Sequence, residues 1–211
     1  MTETGKLRAP SAFLRFRSGE VSLVGDELRL FIGLAVPEDV RRELLGRLEE
    51  WRRRFPFARW AHPADWHITL HFIGETDADR VPAVIRALDE AAAGARPFEV
   101  RLRGLGTFGP PARPSVLHVL PDGRHEPLRA LHAALGAALA REIGFMPDRR
   151  PYRPHLTLAR RYAGAAPWDP AEAAAETFGV AWTAMDLCLF RSRLGSAPMY
   201  AVIHRAPFAG R

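Results

Sequence analysis

The chain has 211 residues, 47% of them hydrophobic and 26% charged, the balance of an ordinary soluble protein of one domain or two small lobes. That excludes a disordered tail, a collagen and a disulfide scaffold, and no stretch approaches the ~18 apolar residues of a membrane span. The formal net charge of +6 is almost all arginine, since Lys6 is the single lysine; arginine's planar fork suits phosphate oxygens, although a bias toward arginine codons gives the same composition.

Residues 1–28 show no clean period and read as an N-terminal extension open to disorder, unless Phe13, Leu14 and Phe16 pack against the rest. Residues 29–208 read as one bilobal domain. Arg29–Val36 has the pattern of a buried strand. Pro37 then opens a helix with Glu38 and Asp39 in its first turn and a stripe of Val40, Leu44, Leu45 and Leu48. A strand follows at His67–Ile73. Thr76 is a candidate N-cap for a helix carrying Val81, Val84, Ile85 and Leu88 and ending near Gly94. Strands are expected at about 98–108 and 115–120. A helix from about Arg124 to Ile143 carries Leu128, Leu131, Leu135 and Leu139. A strand at His155–Ala159, a short Ala/Glu helix after Asp169-Pro170, and two long strands at 181–193 and 199–205 complete the chain. The pattern is an α+β fold of two pseudo-symmetric lobes, each an antiparallel-rich sheet with outer helices, around a central groove.

The single cysteine, Cys188, permits no internal disulfide and lies in an apolar run, as a buried thiol does. Met1–Pro10 lacks the apolar core of a secretory signal. A reducing, cytoplasmic location and a monomer are expected.

The informative feature is a repeat. His67-Ile68-Thr69-Leu70 and His155-Leu156-Thr157-Leu158 lie 88 positions apart (67 to 155) and both read His-apolar-Thr-Leu. One His-x-Thr is ordinary; a matched pair on two strands is not expected by accident. Side chains alternate along a strand, so each motif sets an imidazole and a hydroxyl on one face and two apolar residues on the other. Brought together across a pseudo-two-fold axis, two histidines and two threonines suit metal-free phosphodiester chemistry. One imidazole takes a proton, the other gives one, and the hydroxyls hold the non-bridging oxygens. By the same alternation Arg153 shares the face of His155, while Arg160 falls on the opposite one. His71 shares the face of His67 and so lines the groove or stands in solvent; Trp66 and Phe72 are candidates to stack on a base, but alternation turns both away from His67 and favours core packing. His67 and His71 are four apart, a metal spacing on a helix, but the context is a strand without a nearby carboxylate, so no metal or cofactor is expected. His62, His118, His125, His132 and His204 have no partner motif and read as surface or structural. Trp51-Arg52-Arg53-Arg54 reads as a solvated helix end or as an RNA contact.

The two motifs and their surroundings, Arg29–Pro37, Trp66–Glu75, Leu105–Phe108 and Tyr152–Arg160, resemble the 2H phosphoesterase superfamily. The resemblance is strongest to its bacterial LigT-like branch, the RNA 2′,3′-cyclic phosphodiesterases often named 2′-5′ RNA ligases. It implies hydrolysis of an RNA 2′,3′-cyclic phosphate end to a 2′-phosphate. It further implies His67 as proton donor to O3′, His155 as proton acceptor from water, and phosphate contacts from Thr69 and Thr157; strand alternation, not the resemblance, adds Arg153 as the favoured basic phosphate contact, with Arg160 the weaker candidate should Pro154 or a bulge disturb the register. The implied partner is RNA with a 2′,3′-cyclic phosphate end, or a cyclic nucleotide, with no membrane. The alternatives are 2′-5′ ligation, the reverse reaction, and a nucleotide- or RNA-binding module without turnover.

Overall fold

A computed structural model describes residues 27–209 except Arg124 and Arg149; the expected extension lies, up to residue 26, outside the described residues. The elements are β1 (Leu28–Ala35), α1 (Glu38–Arg54), β2 (Phe57–Trp60), β3 (His67–Thr76), α2 (Val81–Ala93), β4 (Phe98–Phe108), β5 (Val116–Pro121), α3 (Glu126–Ile143), β6 (Leu156–Tyr162), α4 (Pro170–Ala174), β7 (Val180–Ala184), β8 (Asp186–Ser192) and β9 (Tyr200–Pro207). The apolar stripes go where the sequence directs them. Val40, Leu44 and Leu48 of α1 are buried, as are Leu128, Leu131, Leu135 and Leu139 of α3. Leu45, at the margin of its stripe, is 39% exposed.

All strand pairs are antiparallel, and the sheet runs β7-β4-β5-β6-β3-β1-β8-β9, with β2 also on β6. Its halves meet between β6 and β3, whose ladder has a single pair, Ile68 opposite Leu156. Two lobes therefore flank the two motifs. One contains β3-β1-β8-β9, the other β2, β6, β5, β4 and β7. The helices cross over: α1 follows β1 yet packs against β7, while α3 follows β5 yet packs on α2 and β3.

Two details differ from expectation, and a third bears on the basic run. The long strand at 181–193 is two strands, with Met185 between them carrying the chain from the outer edge of one lobe into the other. Thr76 ends β3 and donates its hydroxyl to the Gly74 carbonyl, so it caps nothing; a 3₁₀ turn (Ala78–Arg80) leads into α2 instead. Arg52 and Arg54 of the basic run ion-pair with Glu49 and with Glu50 and Glu176, as a solvated helix end does.

Gly33 marks the tightest approach of β1 to the first motif. A Cβ there would lie 2.4 Å from the Ile68 carbonyl oxygen. Only glycine lets the two backbones come so close at the centre of the groove.

Candidate active site

Ile68 and Leu156, the middle residues of the two motifs, are paired and fully buried. Antiparallel register then sets His67 beside Thr157 and Thr69 beside His155, with all four side chains on the opposite, groove-facing side. The pseudo-two-fold axis passes through that pair.

The histidines are held alike. His67 donates from Nδ1 to the Asp65 carbonyl at 2.6 Å, and His155 from Nδ1 to the Arg153 carbonyl at 2.8 Å. A carbonyl can only accept, so each neutral ring carries its free lone pair on Nε2, aimed at the groove. At His67 that nitrogen lies 2.9 Å from the Thr69 hydroxyl, which donates to it while the ring is neutral.

The surroundings of the rings differ. His67 stands in an aromatic cage with ring centroids of Phe31, Tyr200 and Phe190 at 4.6, 5.2 and 5.5 Å. Burial in it holds the imidazole down at about 4, and the positive charges of His155 and Arg160 push the same way against the Asp65 carbonyl and charge. His155 packs edge-on to Phe108 at 4.8 Å and beside His118 at 5.4 Å. Its pKa is also lowered, by burial first and then by Arg160. Both shifts favour the neutral ring; an anion arriving between them favours the protonated forms.

Asp65 braces the His67 side. It is buried, and its carboxylate accepts from the backbone N–H groups of Met199 and Tyr200 at 2.9 Å each. One residue thus ties the start of β9 to the first motif and holds Tyr200 edge-on to His67. Tyr152 acts similarly from the other side, donating its hydroxyl to the Thr69 carbonyl at 3.0 Å.

Strict alternation fails at corresponding places just after the two motif threonines. In β3, Gly33 faces Thr69 but Ile32 faces His71, so Leu70 is an extra, bulged residue. In β6, His118 faces Thr157 but Leu117 faces Ala159, so Leu158 is bulged. Beyond each bulge the faces exchange. His71 therefore turns into the core, only 4% exposed; it stacks on His132 at 4.0 Å and donates from Nε2 to the His132 carbonyl. Phe72 turns into the groove, 66% exposed and 5.7 Å from Phe31. Trp66, before the bulge, is buried as alternation requires. Arg160 likewise turns to the groove side, where its charge acts on His67, His155 and Tyr200. Arg153 is exposed and gives the site its backbone carbonyl. The alternation that ranks Arg153 above Arg160 breaks at Leu158.

His118, expected to be structural or on the surface, is buried beside the site. It faces Thr157 across β5 and β6, is 2% exposed, and stacks on Phe108 at 4.0 Å. Burial holds it at about 3, with the charge of His155 adding to the shift. No motif surrounds it; only its register opposite Thr157 brings it to His155. Among the described residues no three His, Cys, Asp or Glu side chains converge as metal ligands would, and no helix is long and apolar enough to cross a membrane.

The model of the 2′-5′ RNA ligase superfamily matches residues 36–195, and the chain belongs to that family. It is 31% identical to the RNA 2′,3′-cyclic phosphodiesterase of Bacillus subtilis (strain 168) over 175 residues, 83% of this chain and 93% of the relative. It is 31% identical over 189 residues to the protein of that name from Thermus thermophilus, covering 87% and 91%. Among solved structures, that of TT0787 of Thermus thermophilus superposes with a TM-score of 0.72 at 30% identity, covering 87% of this chain and 99% of that one.

Proposed function

We propose that this protein hydrolyses the 2′,3′-cyclic phosphate at an RNA 3′ end, leaving a 2′-phosphate; its relatives are named RNA 2′,3′-cyclic phosphodiesterases. The observation that carries the proposal is the matched pair of imidazoles, each with Nδ1 tied to a main-chain carbonyl and Nε2 open to one groove. Such tethering fixes tautomer and direction before substrate arrives, which is what acid–base catalysis by two rings needs.

In this reading the cyclic phosphate sits between the motifs. His155 Nε2 takes a proton from water as the water oxygen bonds to phosphorus. The bond from phosphorus to O3′ breaks, and protonated His67 gives its Nε2 proton to O3′. The assignment of His67 as acid follows the family resemblance. Protonation of His67 also frees the Thr69 hydroxyl, which then donates to a non-bridging oxygen. Thr157 and Arg160 stabilise the charge gathering there, and Phe72 beside Phe31 offers a stacking face for the base. Residues 29–208 form the catalytic domain, which acts as a monomer in the cytoplasm without metal or cofactor.

The test is incubation with a nucleoside 2′,3′-cyclic phosphate in EDTA, with the product isomer identified by phosphorus NMR. A 2′-phosphate, absent with His155→Gln, is the expected result. A 3′-phosphate would exchange the leaving group and with it the acid and base labels. Ligand-induced stabilisation without product would leave a binding module.

A further inference from the structure

A second arginine shares the site's face. Arg59 of β2 is the register partner of Arg160 of β6. Directly opposed residues of an antiparallel pair project to the same face with Cβ atoms about 4.5–5.5 Å apart. The neighbouring Trp60 turns the other way, under the Arg52 guanidinium of α1 at 6.0 Å, which leaves Arg59 on the groove side. Both arginines are exposed, and neither has a carboxylate partner among the described residues. Like charges set opposite each other on adjacent strands repel. Beside the groove two arginines nonetheless stand at one register position.

We infer that Arg59 forms a second anion subsite that binds the 5′-phosphodiester of the terminal nucleotide of the substrate RNA. This rests on the proposed function. The ribose gives the direction. C1′ and C4′ flank the 2′,3′ edge that carries the cyclic phosphate. With that phosphate between the motifs and the base over Phe72 in the β3-β1-β8-β9 lobe, C4′ and its 5′ substituent point to the other lobe. There Arg59 lies one strand beyond Arg160. Arg160 serves the scissile phosphate and Arg59 the next phosphate along the chain.

The experiment compares adenosine 2′,3′-cyclic phosphate, which has a 5′-hydroxyl, with the dinucleotide ApA ending in a 2′,3′-cyclic phosphate. Wild type and the Arg59→Ala and Arg59→Lys variants are assayed over a range of salt. Arg59→Ala is expected to lose roughly tenfold in kcat/KM on the dinucleotide, the worth of one charge-assisted hydrogen bond, and less than twofold on the mononucleotide. Its salt slope on the dinucleotide flattens by about 0.7, one phosphate contact on a single strand, and Arg59→Lys restores the slope. Equal loss on both substrates would overturn the subsite, as would no loss on either. If the wild type hydrolyses neither substrate, the proposed function has failed. Fluorescence anisotropy with a labelled trinucleotide 3′-phosphate then decides separately: unchanged affinity and salt slope in Arg59→Ala would reject the subsite.

Discussion

Phe72 and Arg160 occupy the same place in the two halves of the groove. Each stands five residues after its motif histidine, and each is turned inward by a bulge at its motif leucine. One lip of the groove thereby carries an aromatic face and the other a fixed positive charge. The proposed reading predicts different kinetic signatures. Phe72→Ala raises KM with kcat nearly kept, because stacking holds ground state and transition state alike. Arg160→Ala lowers kcat about a hundredfold, the range seen when one donor to a developing oxyanion is removed. The reverse pattern would exchange their roles.

The lowered pKa values of His67 and His155 predict a displaced pH profile. One ring must be neutral and the other protonated, so rate against pH is bell-shaped. In kcat/KM, which reports the free protein, both limbs lie below the ordinary histidine value of about 6.5. In kcat the bound anion raises both pKa values and the bell moves toward neutrality. A flat profile from pH 5 to 8 would remove the two-histidine account.

His67→Gln and His155→Gln should each cost about a hundredfold or more in kcat. The double variant should lose little beyond the worse single one, since the two rings act in one step. Simple multiplication of the two losses would mean that they act independently.

Asp65 links stability to the site. Asp65→Ala strands the N–H groups of Met199 and Tyr200, and each unsatisfied buried donor costs about 1–3 kcal/mol. Urea unfolding is expected to show a loss of that order. Activity should fall with it, because Tyr200 no longer backs His67. Unchanged stability would mean that these amides find water or another acceptor.

His118 predicts acid sensitivity. Its pKa is about 3 when folded and about 6.5 when unfolded. The unfolded chain therefore binds more protons below pH 6.5, and stability falls as pH drops from there toward 3. The slope is up to about 1.4 kcal/mol per pH unit for this buried ring, and His67 adds in the same direction. In His118→Phe the dependence of melting temperature on pH should be shallower than in wild type; an identical curve would remove His118 from the account.

The chemistry of the groove was legible because it is written in residue types. Two histidines and two threonines at a spacing of two must share a face on any regular strand. The helices were legible from their stripes. The ends of the motifs were not, because Leu70 and Leu158 are apolar and buried whether or not they bulge. Nothing in a leucine's identity announces that register shifts there, yet the shift exchanges His71 with Phe72 and brings Arg160 to the groove. β2 is too short for a period, and Met185 separates two strands without a glycine or proline to mark the break. The approach of His118 to His155 depends on pairing between distant segments, which local pattern does not carry.

The topology also has a consequence for how the protein is made. The lobe that cages His67 takes β1 and β3 from the first third of the chain and β8 and β9 from its last stretch. As the polypeptide leaves the ribosome, β1 and β3 emerge as a lone antiparallel pair, marginal by itself in water. The strands that complete that sheet are made only after β4, β5, β6 and β7. The aromatic cage, the Asp65 tether and the depressed pKa of His67 therefore come into being together, once β8 and β9 have been made. A nascent or truncated chain holds the first motif in sequence but not in chemistry.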